Sequence, residues 1–177
     1  MEIFFEGIHL RPWLFADAEH LARIADSKLI ADNLRDGFPS PYSLDDALNW
    51  LGMVIPQNDT TRFFAIVYNK QLAGSIGIVS KSDIYRKNAE IGYYIGDEFR
   101  GKGIATRAIR AVTSYAFSTF DIIRVYAEPF YDNQASRRAL EKAGFIHEAT
   151  LKMNVIKNGV FKDSCIYSVL KEGFQTL

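Results

Sequence analysis

Apolar and polar positions alternate along the chain with two periods, which divide it into short strands and helices. Ile8 to Leu14 predicts a first strand, with Pro12 marking an edge or a strand end. Asp17 then caps a helix carrying Leu21, Ile24 and Ala25 at helical spacing, with Leu29 and Ile30 beyond. The Gly and Pro content of Asp36 to Tyr42 makes that stretch a loop. Ser43 opens a second helix, with Asp45 and Asp46 in its first turn and Ala47, Leu48, Trp50 and Leu51 on its apolar face. Arg62 to Tyr68 and Gln71 to Val79 read as two strands joined by a tight hairpin at Asn69-Lys70. Gly74 and Gly77 inside the second of these imply close packing or a local distortion. Asn88 to Ile95 is the next strand, with Gly92 as a bulge candidate.

The longest helical stripe runs from Lys102 to Thr119, with Ile104, Ala105, Ala108, Ile109, Val112, Tyr115 and Ala116 on one face. Ile122 to Glu128 is a strand of buried type that stops at Pro129. Asp132 or Asn133 caps a last helix, Gln134 to Ala143. Gly144 follows as its left-handed terminator, and Phe145 can pack back on Leu140. His147 to Lys157 and Val160 to Leu170 form a closing hairpin about Asn158-Gly159. This order predicts an α+β fold on a mixed, mostly antiparallel sheet, as a single domain over residues 1–177. No internal repeat, low-complexity segment or linker interrupts it.

Composition narrows the partners. The 177 residues are 48% hydrophobic and 14% aromatic, and Lys+Arg and Asp+Glu both total 21, for a net charge of zero. Such a chain folds, and nothing in it asks for nucleic acid or a membrane surface as partner. A local positive patch at Arg100, Lys102, Arg107 and Arg110 remains open. No run of about 18 apolar residues predicts a transmembrane helix. Met1 to Glu6 lacks the features of a signal peptide, so a cytoplasmic location is expected. The one cysteine, Cys165, sits in an apolar strand and reads as a buried thiol. His9, His20 and His147 lack ligand spacing, so no metal site is expected.

The chemistry concentrates in Phe99-Arg100-Gly101-Lys102-Gly103-Ile104-Ala105-Thr106, between a strand and a helix. The first amides of a helix have no intrahelical partner and sit at the positive end of its dipole, so this turn is a candidate phosphate cradle. Glycine lets the backbone approach the anion closely. No Gly-x-x-x-x-Gly-Lys-Ser/Thr occurs, and Thr106 stands where a dinucleotide fingerprint needs its third glycine. An ordinary nucleoside triphosphate or dinucleotide is therefore a poor fit.

Arg100-Gly101-Lys102-Gly103-Ile104-Ala105 resembles the Arg/Gln-x-x-Gly-x-Gly/Ala signature of the GNAT superfamily of N-acetyltransferases. Asn133-Gln134-Ala135-Ser136, with Glu141-Lys142-Ala143-Gly144-Phe145, resembles its downstream motif. Ala89-Glu90-Ile91-Gly92-Tyr93-Tyr94-Ile95, and Leu10-Arg11-Pro12 with Asp17-Ala18, are similar to the RimJ/RimL branch, which includes ribosomal-protein N-terminal acetyltransferases. The resemblance implies helices on both faces of the sheet and middle strands that splay near Gly92. It also implies acetyl-CoA as cosubstrate, its pyrophosphate on Arg100, Gly101, Lys102, Gly103, Ile104, Ala105 and Thr106. The pantetheine arm would run between the strands at Glu90–Ile95 and Ile122–Glu128. Amides near Ile91, Gly92 and Tyr93 would polarise the thioester carbonyl.

Transfer to an amine needs a neutral amine, a stabilised oxyanion and a CoA thiolate accepted as leaving group, which at a pKa near 8.5 can leave with an acid or with none. Glu90 is the first candidate base, against a plain ion pair or rim carboxylate. Asn133 is a helix cap that can also bind water or pantetheine. Ser136 either donates to the CoA sulfur or faces backbone. Many members carry a tyrosine where this chain has Leu140, which removes the usual acid. Tyr93, Tyr94 and Tyr131 are possible substitutes, each with a wall or core role as its alternative. The implied acceptor is a primary amine, either a protein N-terminus or a small molecule such as an amino sugar, polyamine or antibiotic. The family analogy puts it beside Asp32 to Tyr42. An α-amine of pKa near 8 is about one-tenth neutral at pH 7 and needs less help from a base than lysine does. A non-catalytic acyl-CoA-binding module is the alternative. A homodimer is a family expectation.

Overall fold

An eight-stranded sheet forms the middle of the computed structural model, which describes residues 1–56 and 60–174. The strands are β1 (Ile3–Phe5), β2 (Ile8–Pro12), β3 (Thr61–Tyr68), β4 (Gln71–Ser80), β5 (Asn88–Ile95), β6 (Arg124–Ala127), β7 (Ile146–Lys157) and β8 (Val160–Leu170). They lie in the order β1-β2-β3-β4-β5-β6-β8-β7. Every neighbouring pair is antiparallel except β5–β6. The expected mixed, mostly antiparallel α+β sheet is present. Residues 57–59 and 175–177 of the expected single domain lie outside the described residues.

Among the described residues five α-helices cover the sheet: α1 (Ala18–Ala25), α2 (Lys28–Ala31), α3 (Leu44–Val54), α4 (Ile104–Thr119) and α5 (Gln134–Lys142). Two apolar layers result. Ile76, Ile78, Ile104, Ile109, Val112 and Leu140 pack between the sheet and α4/α5. Trp13, Leu21, Ala47, Leu51 and Ala65 pack between the sheet and α1/α3 on the other face. Among the described residues no helix is long and apolar enough to cross a membrane.

Local signals set the ends of these elements. Ser43 and Asp46 form a reciprocal capping box: the Asp46 amide donates to Ser43 Oγ at 3.1 Å, and the Ser43 amide to Asp46 Oδ2 at 2.8 Å. Gly144 takes φ +95°. The amides of Phe145 and Gly144 donate to the carbonyls of Leu140 and Glu141, each at 3.0 Å, a Schellman closure that places Phe145 in the core beside Leu140. Asn69-Lys70 and Asn158-Gly159 have positive φ at both positions, which gives their hairpins the twist that the strands need.

The structure corrects several boundaries. β1 was not expected, because three residues are too short to show a period. The first strand ends at Pro12, not Leu14. Ser27 caps a separate short helix, α2. The helix after the glycine turn starts at Ile104, not Lys102, because Gly101 and Gly103 take φ +75° and +70°. Gly92 forms no bulge, and β4–β5 stay in register from Gly74↔Ile95 to Ser80↔Ala89. The irregularity lies one strand away, where Ile66 faces Gly74 and Val67 faces Leu72, leaving Ala73 extra. Gly74 and Gly77 mark close packing as expected: a Cβ would meet Tyr94 O at 2.2 Å and the Phe63 ring at 2.3 Å, respectively.

β5 and β6 pair only over Asn88↔Arg124, Ala89↔Val125 and Glu90↔Tyr126, then part. Beyond Ala127 the chain follows β8 instead. Cys165 N–H donates to Pro129 O at 2.9 Å, Tyr131 N–H donates to Asp163 O at 2.9 Å, and Phe130 bridges Ser164.

Candidate active site

A cavity of about 1040 Å³ opens where β5 leaves β6, and it runs from the glycine turn to the segment around Phe38. Of the residues expected to hold a CoA-type ligand, Ile91, Gly92, Tyr93, Arg100, Gly101, Gly103, Ile104, Ala105, Thr106, Asn133 and Ser136 line it. Lys102 does not. Its ammonium lies 5.4 Å from the centre of the Phe99 ring, so only its backbone belongs to the turn.

The geometry of the turn suits an anion. Gly103 precedes α4 without a side-chain cap. Among the described residues, the amides of Gly101 to Thr106 donate to no carbonyl. Nothing lies within 4 Å of where a Cβ would stand on Gly101 or Gly103. Arg107 holds the opposite side of the peptide units: its Nη2 donates to Lys102 O at 2.8 Å, its Nε to Gly103 O at 3.3 Å, and its Nη1 to Glu6 O in the β1–β2 turn. With those carbonyls tied back, the positive edge faces the cavity. The open positive patch resolves into local pairs: Arg100 with Asp97 at 3.0 Å, Arg110 with Glu6 at 3.6 Å, and Arg107 within the turn.

Beyond Glu90 the β5 edge that faces the cavity has no strand to pair with among the described residues. Tyr93, on that stretch, places its hydroxyl 2.8 Å from Ser136 Oγ. Asn133 Oδ1 accepts the Ser136 amide at 3.1 Å, so Asn133 is the cap of α5 and holds Ser136 at the cavity wall. Burial pushes the Tyr93 phenol well up, partly offset by Ser136, and it remains a neutral O–H donor. Leu140 is fully buried with Phe145 and does not line the cavity.

Glu90 lines the cavity, and cations surround it. Lys81 Nζ lies 2.6 Å from Oε2, the Arg35 guanidinium contacts Oε1, and the Tyr126 hydroxyl donates to Oε2 at 3.4 Å. Both of its oxygens are committed, which the ion-pair alternative anticipated.

A profile of the Acetyltransferase (GNAT) domain matches residues 8–146. The chain belongs to the GNAT acetyltransferase family.

Among relatives of this GNAT chain, the uncharacterized N-acetyltransferase YoaA of Bacillus subtilis (strain 168) is 40% identical over 102 residues, 58% of this chain and 57% of YoaA. With it, the first curated relatives are matched over 54–60% of their own length. Spermidine N(1)-acetyltransferase of Escherichia coli (strain K12) is 25% identical over 91% of this chain and 86% of its own. Ribosomal-protein-serine acetyltransferase of the same organism is 26% identical over 71% and 78%. The solved structure of microcin C7 self immunity acetyltransferase MccE, in complex with acetyl-CoA and AMP, matches with a TM-score of 0.82 and 26% identity over 93% of each chain.

The far end of the GNAT cleft is aromatic. Phe38, Tyr42, Trp50, Phe63 and Tyr94 line it, with Phe38 4.9 Å from Tyr42 and 5.6 Å from Tyr94, and Trp50 5.8 Å from Phe63. Burial, with Asp46 nearby, pushes the Tyr42 phenol up to about 12. The expected acceptor segment is here: Asn33, Leu34, Arg35, Gly37, Phe38, Pro39 and Tyr42 all face the cavity.

Among the charged wall residues, Lys81, Glu128, Arg138 and Lys142 carried no site reading in the sequence. Arg138 and Lys142 line the cavity from α5. Their spacing of four on a polar helix face was the available signal, but a solvated face looks the same. Glu128, at the end of β6, also lines it. It carried no signal beyond its place before Pro129. Among the described residues no His, Cys, Asp and Glu side chains cluster as a metal site.

Proposed function

We propose that the protein is a single-domain, acetyl-CoA-dependent N-acetyltransferase whose acceptor is the α-amine of a protein or peptide N-terminus. One observation carries this reading: a single cavity connects unpaired amides at Gly101–Thr106 to the unpaired edge of β5. The first suits a pyrophosphate. The second offers backbone groups to an extended amide-bearing arm, which takes the place of the missing strand. Amides of Ile91 to Tyr93 are then at hand for the oxyanion of the attacked thioester.

The Tyr93–Ser136 pair supports turnover rather than binding alone. The amine attacks the thioester carbon, the C–S bond breaks and its electron pair goes to sulfur. Ser136 donates a proton to that sulfur and takes one from the Tyr93 phenol in the same step, and the proton that the nitrogen loses as the amide forms restores Tyr93, which ends as neutral as it began. This relay replaces the donor that Leu140 cannot provide.

Charge supports an α-amine over a polyamine. The cavity wall carries two carboxylates, Glu90 and Glu128, against Arg35, Lys81, Arg100, Arg138 and Lys142. A polycation finds no acidic channel there. The aromatic end suits an apolar first side chain.

The test is thiol release from acetyl-CoA with free-terminus peptides, the same peptides with blocked termini, spermidine and an amino sugar. Turnover is expected on the free peptides and not on the blocked ones. Faster turnover of spermidine, or release with no amine, overturns the acceptor assignment. Ser136→Ala and Tyr93→Phe should each lower kcat by about tenfold or more and combine non-additively, because they act as one relay.

A further inference from the structure

The two carboxylates on the cavity wall are held in opposite ways. Glu90 is bound by Arg35 and Lys81. Glu128 has no cation within ion-pair distance among the described residues. Its Oε1 accepts from two neutral donors, the Asn154 amide at 3.0 Å and the Ser164 hydroxyl at 2.8 Å. Asn154 also donates to Ser164 Oγ at 2.8 Å, so the three side chains close a triangle. Oε2 has no partner among the described residues.

The triangle exists because β7 is deformed. Leu151 pairs with Ser164 and Val155 with Lys162, so residues 152–154 face Asp163 alone. Met153 takes φ +50°, a left-handed conformation that costs a non-glycine residue on the order of 1 kcal/mol. Asp163 holds the bulge: it accepts the Met153 amide at 2.9 Å and pairs with Lys152 at 2.8 Å. The bulge turns Asn154 towards Glu128. Strain maintained beside a cavity, and spent on orienting one carboxylate, points to a working group rather than a structural one.

We propose that Glu128, not Glu90, receives the acceptor's amine and takes its proton, with Asn154 and Ser164 as positioning residues. This rests on the acetyl transfer proposed above. A protonated amine meets the uncompensated Oε2 as its counter-ion. One proton passes from nitrogen to Oε2, and the freed lone pair attacks the thioester carbon. The C–N bond forms and the C–S bond breaks. The nitrogen's second proton balances the one taken up by the CoA thiolate, and Glu128 returns its own to solvent. Glu90 keeps Arg35 and Lys81 at the mouth of the cleft.

The test compares wild type with Glu128→Gln, Glu90→Gln, Asn154→Ala and Asn154→Asp, using acetyl-CoA, an acceptor peptide and calorimetric binding of acetyl-CoA. Glu128→Gln keeps an acceptor for Asn154 and Ser164 but loses the charge. It should lose about 100-fold or more in kcat/KM for the acceptor, with acetyl-CoA binding kept. Glu90→Gln should lose less. Asn154→Asp should fall below Asn154→Ala, because it sets a second carboxylate against Glu128, whereas a merely structural role makes alanine the worse. Wild type that acetylates no amine overturns the underlying activity. Wild-type turnover with Glu128→Gln undiminished, or with Glu90→Gln the more damaged, overturns the assignment of Glu128 alone. The Asn154 order, if reversed, overturns it even where Glu128→Gln does not fold.

Discussion

Asp17 precedes the first residue of α1, yet its carboxylate makes no cap hydrogen bond there. Its two oxygens take both terminal nitrogens of Arg11 at 2.7 Å, and Oδ2 accepts the Leu14 amide at 3.0 Å. Burial alone would raise this carboxyl, but the Arg11 guanidinium and the Leu14 amide outweigh it and hold the group below its ordinary value. A carboxyl depressed on folding stabilises the protein above its unfolded pKa, near 3.9, and loses that contribution as pH falls through the lower folded value. Asp17→Asn is therefore expected to cost about 2 kcal/mol in urea denaturation at pH 7. The gap to wild type should close as the acid limb is descended. An equal gap at all pH values refutes the ion pair as its source. The residue type suggested a cap. The partner that claimed it lies on β2, and only the turn at Trp13-Leu14 brings the two together.

The glycine turn and the start of α4 act as one element. Left-handed φ at Gly101 and Gly103 orients the amides, and Arg107 ties back the carbonyls. Gly103→Val should raise the acetyl-CoA Kd by more than about tenfold, since its side chain fills space meant for phosphate. It should also cost about 1–2 kcal/mol of stability for the forced φ. Arg107→Ala should weaken acetyl-CoA binding with intact strands, as read by calorimetry and circular dichroism. Unchanged binding in both variants sinks the cradle. The turn was legible because glycine, helix period and charge all lie within eight residues. Its boundary was not: Lys102 sits between two left-handed glycines, and no period reveals a φ angle. The Gly92 bulge failed for a related reason, because β5 and β6 part where the other chain segment, after Ala127, follows β8.

Long-range ties frame the acceptor end. Lys157, nearly buried at the β7–β8 tip, pairs with the exposed Asp36 at 2.9 Å, and Asn158 donates to Asp32 at 2.9 Å. These contacts fasten the segment on the proposed acceptor side to the far hairpin, across more than a hundred residues. Asp36→Ala should loosen that wall and leave Lys157 without its counter-ion. The expected result is a several-fold rise in KM for the acceptor peptide with KM for acetyl-CoA unchanged, because the cradle lies at the other end of the cavity. Equal effects on both constants mean that Asp36 supports the whole fold rather than the acceptor wall.

All the strands but β1, all the helices but the short α2, the hairpin turns, the Ser43 and Asn133 caps, the Gly144 stop and the place of the glycine turn stood in the sequence. Each depends on backbone preferences and side chains a few residues apart, and those act the same in any fold. The pairing of Glu90 with Arg35 and Lys81, the Tyr93–Ser136 contact and the isolation of Glu128 did not. Each joins groups from different elements, and a charged side chain acquires its role from the counter-ions that the folded chain puts, or fails to put, beside it. The glycine turn was readable before folding. The chemistry at the other end of the cleft came into being only when β5 and β6 parted.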